Sequence, residues 1–346
     1  KLININMKSY EIYTHLANCY FLQKDYNLAI KYYKQSCEYK NTKNTHLQIA
    51  ICYQQQQKYN ASIEYAKTLL VKYPTTNMFL KIIGDGYKKL SNIDLAIKYY
   101  KKLEHTGNAH FIHNLAHLYL INEDFKNAWK YNEARLNIYA STFDLIIPPH
   151  KRYTNQNLKD KILLIHWEQG IGDSIQFARF IPMLETIQVK NIIFAVKENL
   201  VLLFQISFPN VLVVSETTKL PYYDYAMFLV SLAYMFQISK EDIFITKAYL
   251  HTNENTVLNL DKKKLNIGIV WKSGISQEKT NTYKNASLDE FAKLLKLEHT
   301  QFYSLQLKEW SSDIQEYNLQ DKLIDTSLII NSFNEMAVLV NKLDLT

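Results

Sequence analysis

Glycine and proline are scarce in this 346-residue chain, seven and six residues respectively. So few breakers argue against a disordered chain and against a loop-rich all-β fold. Cysteine is scarcer still: Cys19, Cys37 and Cys52 are all there is, and their spacing fits no metal-ligand pattern. They fall on apolar faces of helical segments and are expected to be buried thiols in a reducing compartment, which places the chain in the cytoplasm. There is no run of eighteen apolar residues, so no transmembrane helix is expected. The most apolar stretch, 225–236, is too short and contains Ser231. No Walker sequence, no H-E-x-x-H and no G-x-S-x-G occurs. The ten histidines show no metal pattern. His113 and His117 stand at i and i+4 without a carboxylate companion, which points to packing or surface roles. Neither a metal nor a resident cofactor is expected. The chain opens on Lys1 rather than Met and shows no signal peptide, so native residues are expected before it.

What is present is apolar and aromatic. Hydrophobic residues make up 47%, enough for real cores, and tyrosine alone occurs 26 times. Length sets a prior of two or three domains. The formal charge of +7 is unevenly placed: residues 1–150 hold 19 Lys+Arg against 11 Asp+Glu, a net of +8, while residues 151–346 hold 21 against 22. The lysines of the first half are spread along solvent-facing helix positions. That pattern describes a solvated surface rather than a nucleic-acid face, and leaves an acidic protein partner open.

The first half repeats itself. Ala17-x-x-Tyr20 recurs as Ala50-x-x-Tyr53, Gly84-x-x-Tyr87 and Ala116-x-x-Tyr119, at offsets of 33, 34 and 32 residues. A second set moves in step: Tyr26, Tyr59, Ile93 and Phe125, then Ala29, Ser62, Ala96 and Ala128. Small residues let paired helices approach closely, and the rings fill the gaps between pairs. This resembles the tetratricopeptide repeat, whose period is about 34 residues. Four units over roughly 9–141 are expected, stacked into a superhelix with a concave face that holds a segment of another protein. Pro74 closes the second unit, and Pro148-Pro149 stops the last helix.

The second half alternates strand and helix, which implies parallel sheets. Strands are expected at Ile162–Ile165, 191–196, 211–214, within the apolar run 224–230, and at 265–271, 301–305 and 323–324. Helices are expected from Ile175 through Leu184, and at 200–206, 288–297 and 333–342. Two restarts resemble each other: in each, a lysine and an apolar strand end in a tryptophan, Trp167 and Trp271. Two Rossmann-like sheets in tandem, with a cleft between them, follow. Leu343 to Thr346 begins another apolar stretch, so the second sheet is expected to be unfinished and the native protein to continue. The resulting division is repeats at 1–147, a linker at 148–158, a first Rossmann-like domain at 159–252, a linker at 253–264, and an incomplete second domain at 265–346.

The stretch 161–184, K-I-L-L-I-H-W-E-Q-G-I-G-D-S-I-Q-F-A-R-F-I-P-M-L, reads as strand, glycine turn and helix, the place where α/β sheets carry chemistry. Glycine permits positive φ and close approach of another molecule. A dinucleotide fingerprint would want a third glycine at 175, where Ile stands. With Asp173 inside the turn as well, a dehydrogenase using Glu198 as ribose acid is a minor reading. The run 168–184 resembles bacterial proteins that join tetratricopeptide repeats to a glycosyltransferase domain similar to family 9, the heptosyltransferase-like enzymes of GT-B fold. Residues 224–236, I-G-I-V-W-K-S-G at 267–274 and F-Y-S-L-Q at 302–306 resemble further segments of that family, in the same order. The family's arginine-serine pair is replaced by K-N-A-S at 284–287, its proline by Ala233, and its later Asp-Thr and His loop would lie past Thr346.

The resemblance implies sugar transfer from a nucleotide-sugar co-substrate to a protein or glycan. Asp173 would be the base, with Gln169, Gly170 and Gly172 in the acceptor loop. Trp271, Lys272, Ser273, Gly274 and Gln306 would lie on the donor side. Each has a plainer role: Asp173 as helix N-cap, Lys272 as surface lysine, Gln306 as strand-end amide, and the tryptophans as core. The alternative is a non-catalytic repeat scaffold with a degenerate transferase domain.

Overall fold

The computed structural model describes residues 9–243, 248–252, 258, 260–272, 285–306, 310–327 and 329–346. The chain divides into two compact units, Lys1–Pro149 with Ala233–Ile245, and His150–Leu232 with Thr246–Thr346.

The first unit is the expected set of helix pairs: α1 (Tyr10–Leu22) with α2 (Tyr26–Tyr39), α3 (Lys43–Gln55) with α4 (Tyr59–Lys72), α5 (Asn77–Lys89) with α6 (Ile93–Lys101), and α7 (Ala109–Ile121) with α8 (Phe125–Asn132). Two short helices, α9 (Arg135–Ile138) and α10 (Ala140–Ile146), follow. Every small residue of the repeat is fully buried: Ala17, Ala50 and Ala116 on the first helices, Ala29, Ser62, Ala96 and Ala128 on the second. Ser62 satisfies its hydroxyl by donating to the Ala50 carbonyl at 2.9 Å. Gly84 is required by its neighbour, because a Cβ there would lie 2.7 Å from Tyr100 Cδ2.

The turn inside each pair is the same four times. Lys24, Gln57, Ser91 and Glu123 adopt φ of 57–63°. The following amides, of Asp25, Lys58, Asn92 and Asp124, each donate at 2.9 Å to the carbonyl of the repeat tyrosine, Tyr20, Tyr53, Tyr87 or Tyr119. This six-to-one bond is the Schellman closure of a helix. Asp25, Asn92 and Asp124 then cap the second helix through their side chains; Lys58 does not. A tyrosine pair also recurs per unit. Tyr20 meets Tyr32, Tyr53 meets Tyr65, Tyr87 meets Tyr99 and Tyr119 meets Tyr131, with centroids 5.3–5.9 Å apart. Residues 233–245 belong to this unit: Trp129 Nε1 donates to the Ile238 carbonyl at 2.8 Å, and Lys240 pairs with Glu123.

Of the three cysteines only Cys52 is buried, and burial pushes its thiol up to about 12. Cys19 is exposed and Cys37 half-buried, which corrects the expectation that all three are buried. Cys19 lies two residues past the inward Ala17, hence about 200° around the helix.

In the second unit β1 (Ile162–His166), β2 (Asn191–Val196), β3 (Leu212–Ser215) and β4 (Tyr225–Phe228) form a parallel sheet of order β3-β2-β1-β4. α11 (Ile171–Ala178) follows β1, and α12 (Val201–Ser207) precedes β3. The helix expected through Leu184 ends at Ala178 and resumes as 3-10 turns at Ile181–Ile187, with Pro182 near their start. After β4 come α13 (Ser231–Met235) and α14 (Lys240–Ile243). β5 (Leu265–Ile269), β6 (Thr300–Ser304) and β7 (Leu323–Asp325) form a second parallel sheet, with α15 (Ser312–Glu316) and α16 (Phe333–Lys342). The helix expected at 288–297 is instead two 3-10 turns, Leu288–Phe291 and Leu294–Lys296. Their longer rise spaces Leu288, Phe291 and Leu295 along the same core.

The two sheets share one topology. Leu345 bridges in parallel to Ile267 on the edge of β5 away from β6. The order is thus β7-β6-β5 and then the 344–345 segment, matching β3-β2-β1-β4. The entry to each first strand is clamped alike. The Ile162 amide donates to Asp224 Oδ2 at 2.8 Å, and the Asn266 amide to Asp344 Oδ2 at 2.8 Å. The aspartate amides answer to the Ile162 and Asn266 carbonyls at 3.0 and 2.9 Å. That amide holds the Asp224 carboxyl below its usual range. Gly268 is required in β5, since a Cβ would lie 2.6 Å from Leu305 Cδ1 and 2.7 Å from Leu343 Cδ1. Among the described residues no helix is long and apolar enough to cross a membrane.

Two outcomes are expected. Gly84→Ala forces a methyl against the Tyr100 ring and costs about 1–3 kcal/mol. Ser91→Gly relieves a non-glycine residue at positive φ and gains about 1 kcal/mol. Denaturant unfolding followed at helical wavelengths reads both. A third concerns the half-buried His113 and the more exposed His117, whose rings lie 4.6 Å apart. Burial foremost, then neighbouring cations including Arg135 at His113 and Lys88 at His117, hold both below the ordinary histidine value. The unfolded chain therefore binds protons first as pH falls through about 6.5, and stability conferred by the neutral pair is lost from there downward. Melting of the repeats should drop between pH 7.5 and 5.5, with a smaller drop in His117→Gln.

Candidate functional site

At the carboxyl end of β1 the expected turn is present. Gln169, Gly170 and Gly172 are exposed, and Asp173 is half-buried in the first turn of α11. The positive φ that the glycine pair was expected to supply falls instead on Gln169, at 61°; Gly170 is extended at −103°. A Cβ at Gly172 would meet nothing within 4 Å, and one at Gly170 would meet Asp173 Oδ2 alone, at 3.1 Å. Backbone conformation demands glycine at neither place, and packing asks only that Asp173 give way at Gly170. What the two glycines provide is open backbone at a helix start.

Asp173 turns its carboxylate back to the turn, accepting the Gly170 amide at 2.9 Å on Oδ2. The Ser174 amide and hydroxyl close the same turn on the Gly170 carbonyl at 3.0 and 3.1 Å. The N-cap is Gly170, and Asp173, expected to be that cap, stands three residues inside the helix as the acid of a capping box. Glu168, 3% exposed, accepts the Val230 amide at 2.9 Å and so ties the turn to the end of β4. It is the first residue of the E-Q-G-I-G-D run, and sequence reasoning gave it no role; a lone acid directly after a buried strand was the available signal. Trp167 lies beneath Lys197, whose Nζ stands 4.1 Å over the ring centroid and pairs with Glu216 at 2.9 Å. His166 is buried, packed on Trp167 and Phe228, and burial holds it below the usual histidine range.

At the corresponding end of the second sheet, three of the expected donor-side residues come together. Trp271 is a buried wedge, 2% exposed, in the core with Leu288 and Phe302. That is the packing role rather than an open ligand wall. Gln306 is 3% exposed and uses its amide as a clamp. Its Oε1 accepts the Trp271 and Lys272 amides at 3.2 and 3.0 Å, and its Nε2 donates to the Lys272 carbonyl at 2.9 Å. Gln306 therefore fixes the loop in this conformation. Lys272 is the accessible member: its ammonium stands 4.3 Å over the Trp310 ring and 2.6 Å from Asp313. Asp313, absent from the sequence reading, takes the Trp271 indole N–H at 2.7 Å on the same oxygen. It lies in the polar stretch S-S-D-I-Q-E, which carries no pattern that marks it. Ser273, Gly274 and Lys284 lie outside the described residues. Among the described residues no three His, Cys, Asp or Glu are arranged to hold a metal ion.

Comparison with known proteins bears on the repeats. Residues 10–43 and 45–76 each match a tetratricopeptide repeat family. Among solved structures, a MamA protein is 19% identical, with 40% of this chain and 76% of that one covered at a TM-score of 0.34. The C-terminal part of a repeat protein from Cytophaga hutchinsonii is 18% identical over 42% and 58%, at 0.37. PilF of Pseudomonas aeruginosa is 17% identical over 40% and 65%, at 0.33. No curated protein sequence matches the chain. The first part of the chain carries tetratricopeptide repeats.

Asp313→Asn should keep an acceptor for the Trp271 indole while removing the charge facing Lys272. The expected loss is about 1–3 kcal/mol, the cost of a weakened charge-assisted bond in a buried place. Asp313→Leu, which also orphans the indole N–H, should lose more. Thermal melting with tryptophan fluorescence reads the difference.

Proposed function

We propose that the repeats hold a segment of another protein. The observation that carries this reading is the fourfold recurrence of one helix pair with one turn, which builds an extended surface instead of a pocket. Tetratricopeptide arrays serve protein–protein contact through such surfaces, and the two repeat matches support the assignment.

A second reading is proposed for the α/β unit: transfer of a sugar from a nucleotide-sugar donor to the protein or glycan that the repeats recruit. The resemblance of 168–184, 224–236, 267–274 and 302–306 to family 9 glycosyltransferases favours it. So does the pair of sheets with one topology, each presenting an exposed or polar turn at the carboxyl end of its first strand. In this reading Asp173 accepts the acceptor hydroxyl proton after leaving its capping bond, with Gln169, Gly170 and Gly172 leaving room for the acceptor. Lys272 stabilises charge on the departing diphosphate, held in place by Trp271 and Gln306, and the resemblance adds Ser273 and Gly274 to the donor side. If the α/β unit is inert, the chain is a scaffold.

One experiment separates the readings. Wild type and Asp173→Asn are incubated with candidate partner proteins and a panel of nucleotide sugars, and both complex formation and nucleotide release are measured. Asparagine keeps an acceptor oxygen for the Gly170 amide and loses only the charge at the helix start, so both chains should melt within ~1 kcal/mol of each other. Transfer predicts nucleotide release by wild type and a loss on the order of 10²-fold in the variant. A partner complex without nucleotide release in either chain leaves the scaffold; no complex with any partner removes the repeat reading.

A further inference from the structure

The lysines of the first unit are not evenly scattered over it. On the second helix of each repeat, two outward positions three residues apart recur at the repeat period. They hold Lys31 and Lys34, Glu64 and Lys67, Lys98 and Lys101, then Lys130 and Glu133. All six lysines are exposed except the half-exposed Lys67. Lys67 is neutralised by Glu64 at 2.8 Å, and Glu133 is spent on the buried Arg135 at 2.7 Å. Lys31, Lys34, Lys98, Lys101 and Lys130 take part in no ion pair among the described residues. The row runs beside the tyrosine pairs: Lys31 stands 5.9 Å over Tyr32, Lys67 5.5 Å over Tyr87 and Lys130 5.6 Å over Tyr131.

We infer that this lysine row is where the partner docks, and that the partner presents an acidic, extended protein segment. The inference rests on the protein-binding reading and adds the face and the chemistry. Its first support is charge complementarity. A line of like charges that no ion pair among the described residues neutralises repels itself. Its second is spacing. The same two helix positions recur once per repeat, and an extended chain, advancing about 3.3 Å per residue, can follow them from one repeat to the next. Lysine pairs stand on the first and third repeats and a lone unpaired lysine on the fourth, so regularly spaced carboxylates meet free positive charge at three of the four units. The other polyanions fit less well. Nucleic acid would want free aromatic faces to stack on, whereas these tyrosines are spent on one another and on lysines. A flat anionic membrane would meet only part of a row that turns with a superhelix.

The test uses the full chain and a labelled peptide of roughly fifteen residues with Glu at every third position, read by fluorescence anisotropy. Its Gln counterpart, single-stranded DNA of equal charge, and vesicles containing phosphatidylserine are the comparisons. The Glu peptide should bind, and weaken as salt rises. Lys34→Glu with Lys101→Glu should weaken binding about tenfold or more, while Lys43→Glu with Lys89→Glu, the same charge change off the row, stays within about twofold. In wild type, bound peptide should protect Lys34 and Lys101 from acetylation, a readout independent of how the variants fold. Equal binding of the Gln peptide, tighter binding of DNA or vesicles, or unprotected row lysines would overturn the inference. Native partners that bind wild type and the row variant equally would overturn it while leaving the repeat reading intact. A chain that binds the Glu peptide at the row yet forms no complex with any protein would instead sink the repeat reading.

Discussion

The close approach of two helices at a residue without bulk governs the first unit. Ala17, Ala50, Gly84 and Ala116 on the first helices and Ala29, Ser62, Ala96 and Ala128 on the second are all buried, and at Gly84 even a Cβ would lie 2.7 Å from the Tyr100 ring. That contact sets how far apart the helices run, and hence which rings meet across them. With the separation fixed, Tyr20 reaches Tyr32 and its three equivalents do the same. The turn between them must then close in few residues, and four non-glycine side chains accept a left-handed conformation to do it. Each costs something on its own; the bond to the tyrosine carbonyl and the cap that follows offset it. Lys58 is the exception, a turn without a side-chain cap.

The second unit depends on a different constraint. The first strand of each sheet is central, paired in parallel on both edges. Asp224 and Asp344 sit at the entry of the neighbouring strand and bind the first strand's opening amide while donating their own. Five residues later each first strand gives way to a tryptophan, Trp167 or Trp271. The two ends then diverge. After Trp167 comes open glycine backbone; after Trp271 comes a loop pinned by Gln306 and by the shared oxygen of Asp313. One framework thus offers an accessible turn in one sheet and a cation held over a ring in the other.

Much of this was legible in the chain. Periods of 33, 34 and 32 residues place four helix pairs, because small residues and rings must recur wherever the same contact recurs. The strands at 191–196 and the helix at 333–342 carry unambiguous patterns, and both stand where expected. The turn conformations were not legible, since Lys24, Gln57, Ser91 and Glu123 share no chemistry that marks positive φ. Nor were Tyr32, Tyr65, Tyr99 and Tyr131, each of which matters only through a ring on the other helix. The 288–297 segment has helical propensity, yet folds as two tighter turns. In the site, residue types pointed to Asp173, Lys272 and Gln306, but burial decided their present tasks. Glu168 and Asp313 act through single long-range bonds, to Val230 and Trp271, that no local spacing encodes.

The bond between Asp173 and the Gly170 amide bears on both proposed functions. A cap bond between an exposed amide and a half-buried carboxylate is worth about 1 kcal/mol, so releasing it is a small step against any chemical barrier. A carboxylate at a helix start can therefore serve as cap in the free protein and as proton acceptor once an acceptor hydroxyl displaces the amide. The glycines matter at that moment. With no Cβ at Gly172 and only Asp173 itself near Gly170, a hydroxyl-bearing group can reach the carboxylate along the backbone without displacing a side chain. Glycine is a good residue at the N-cap, Gly170, but a turn built only to start a helix would gain from alanine at Gly172, where nothing in the packing repays the helix stability that glycine costs. The stability forgone at Gly172, inside α11, is the physical reason to regard this turn as a surface for another molecule rather than a cap alone.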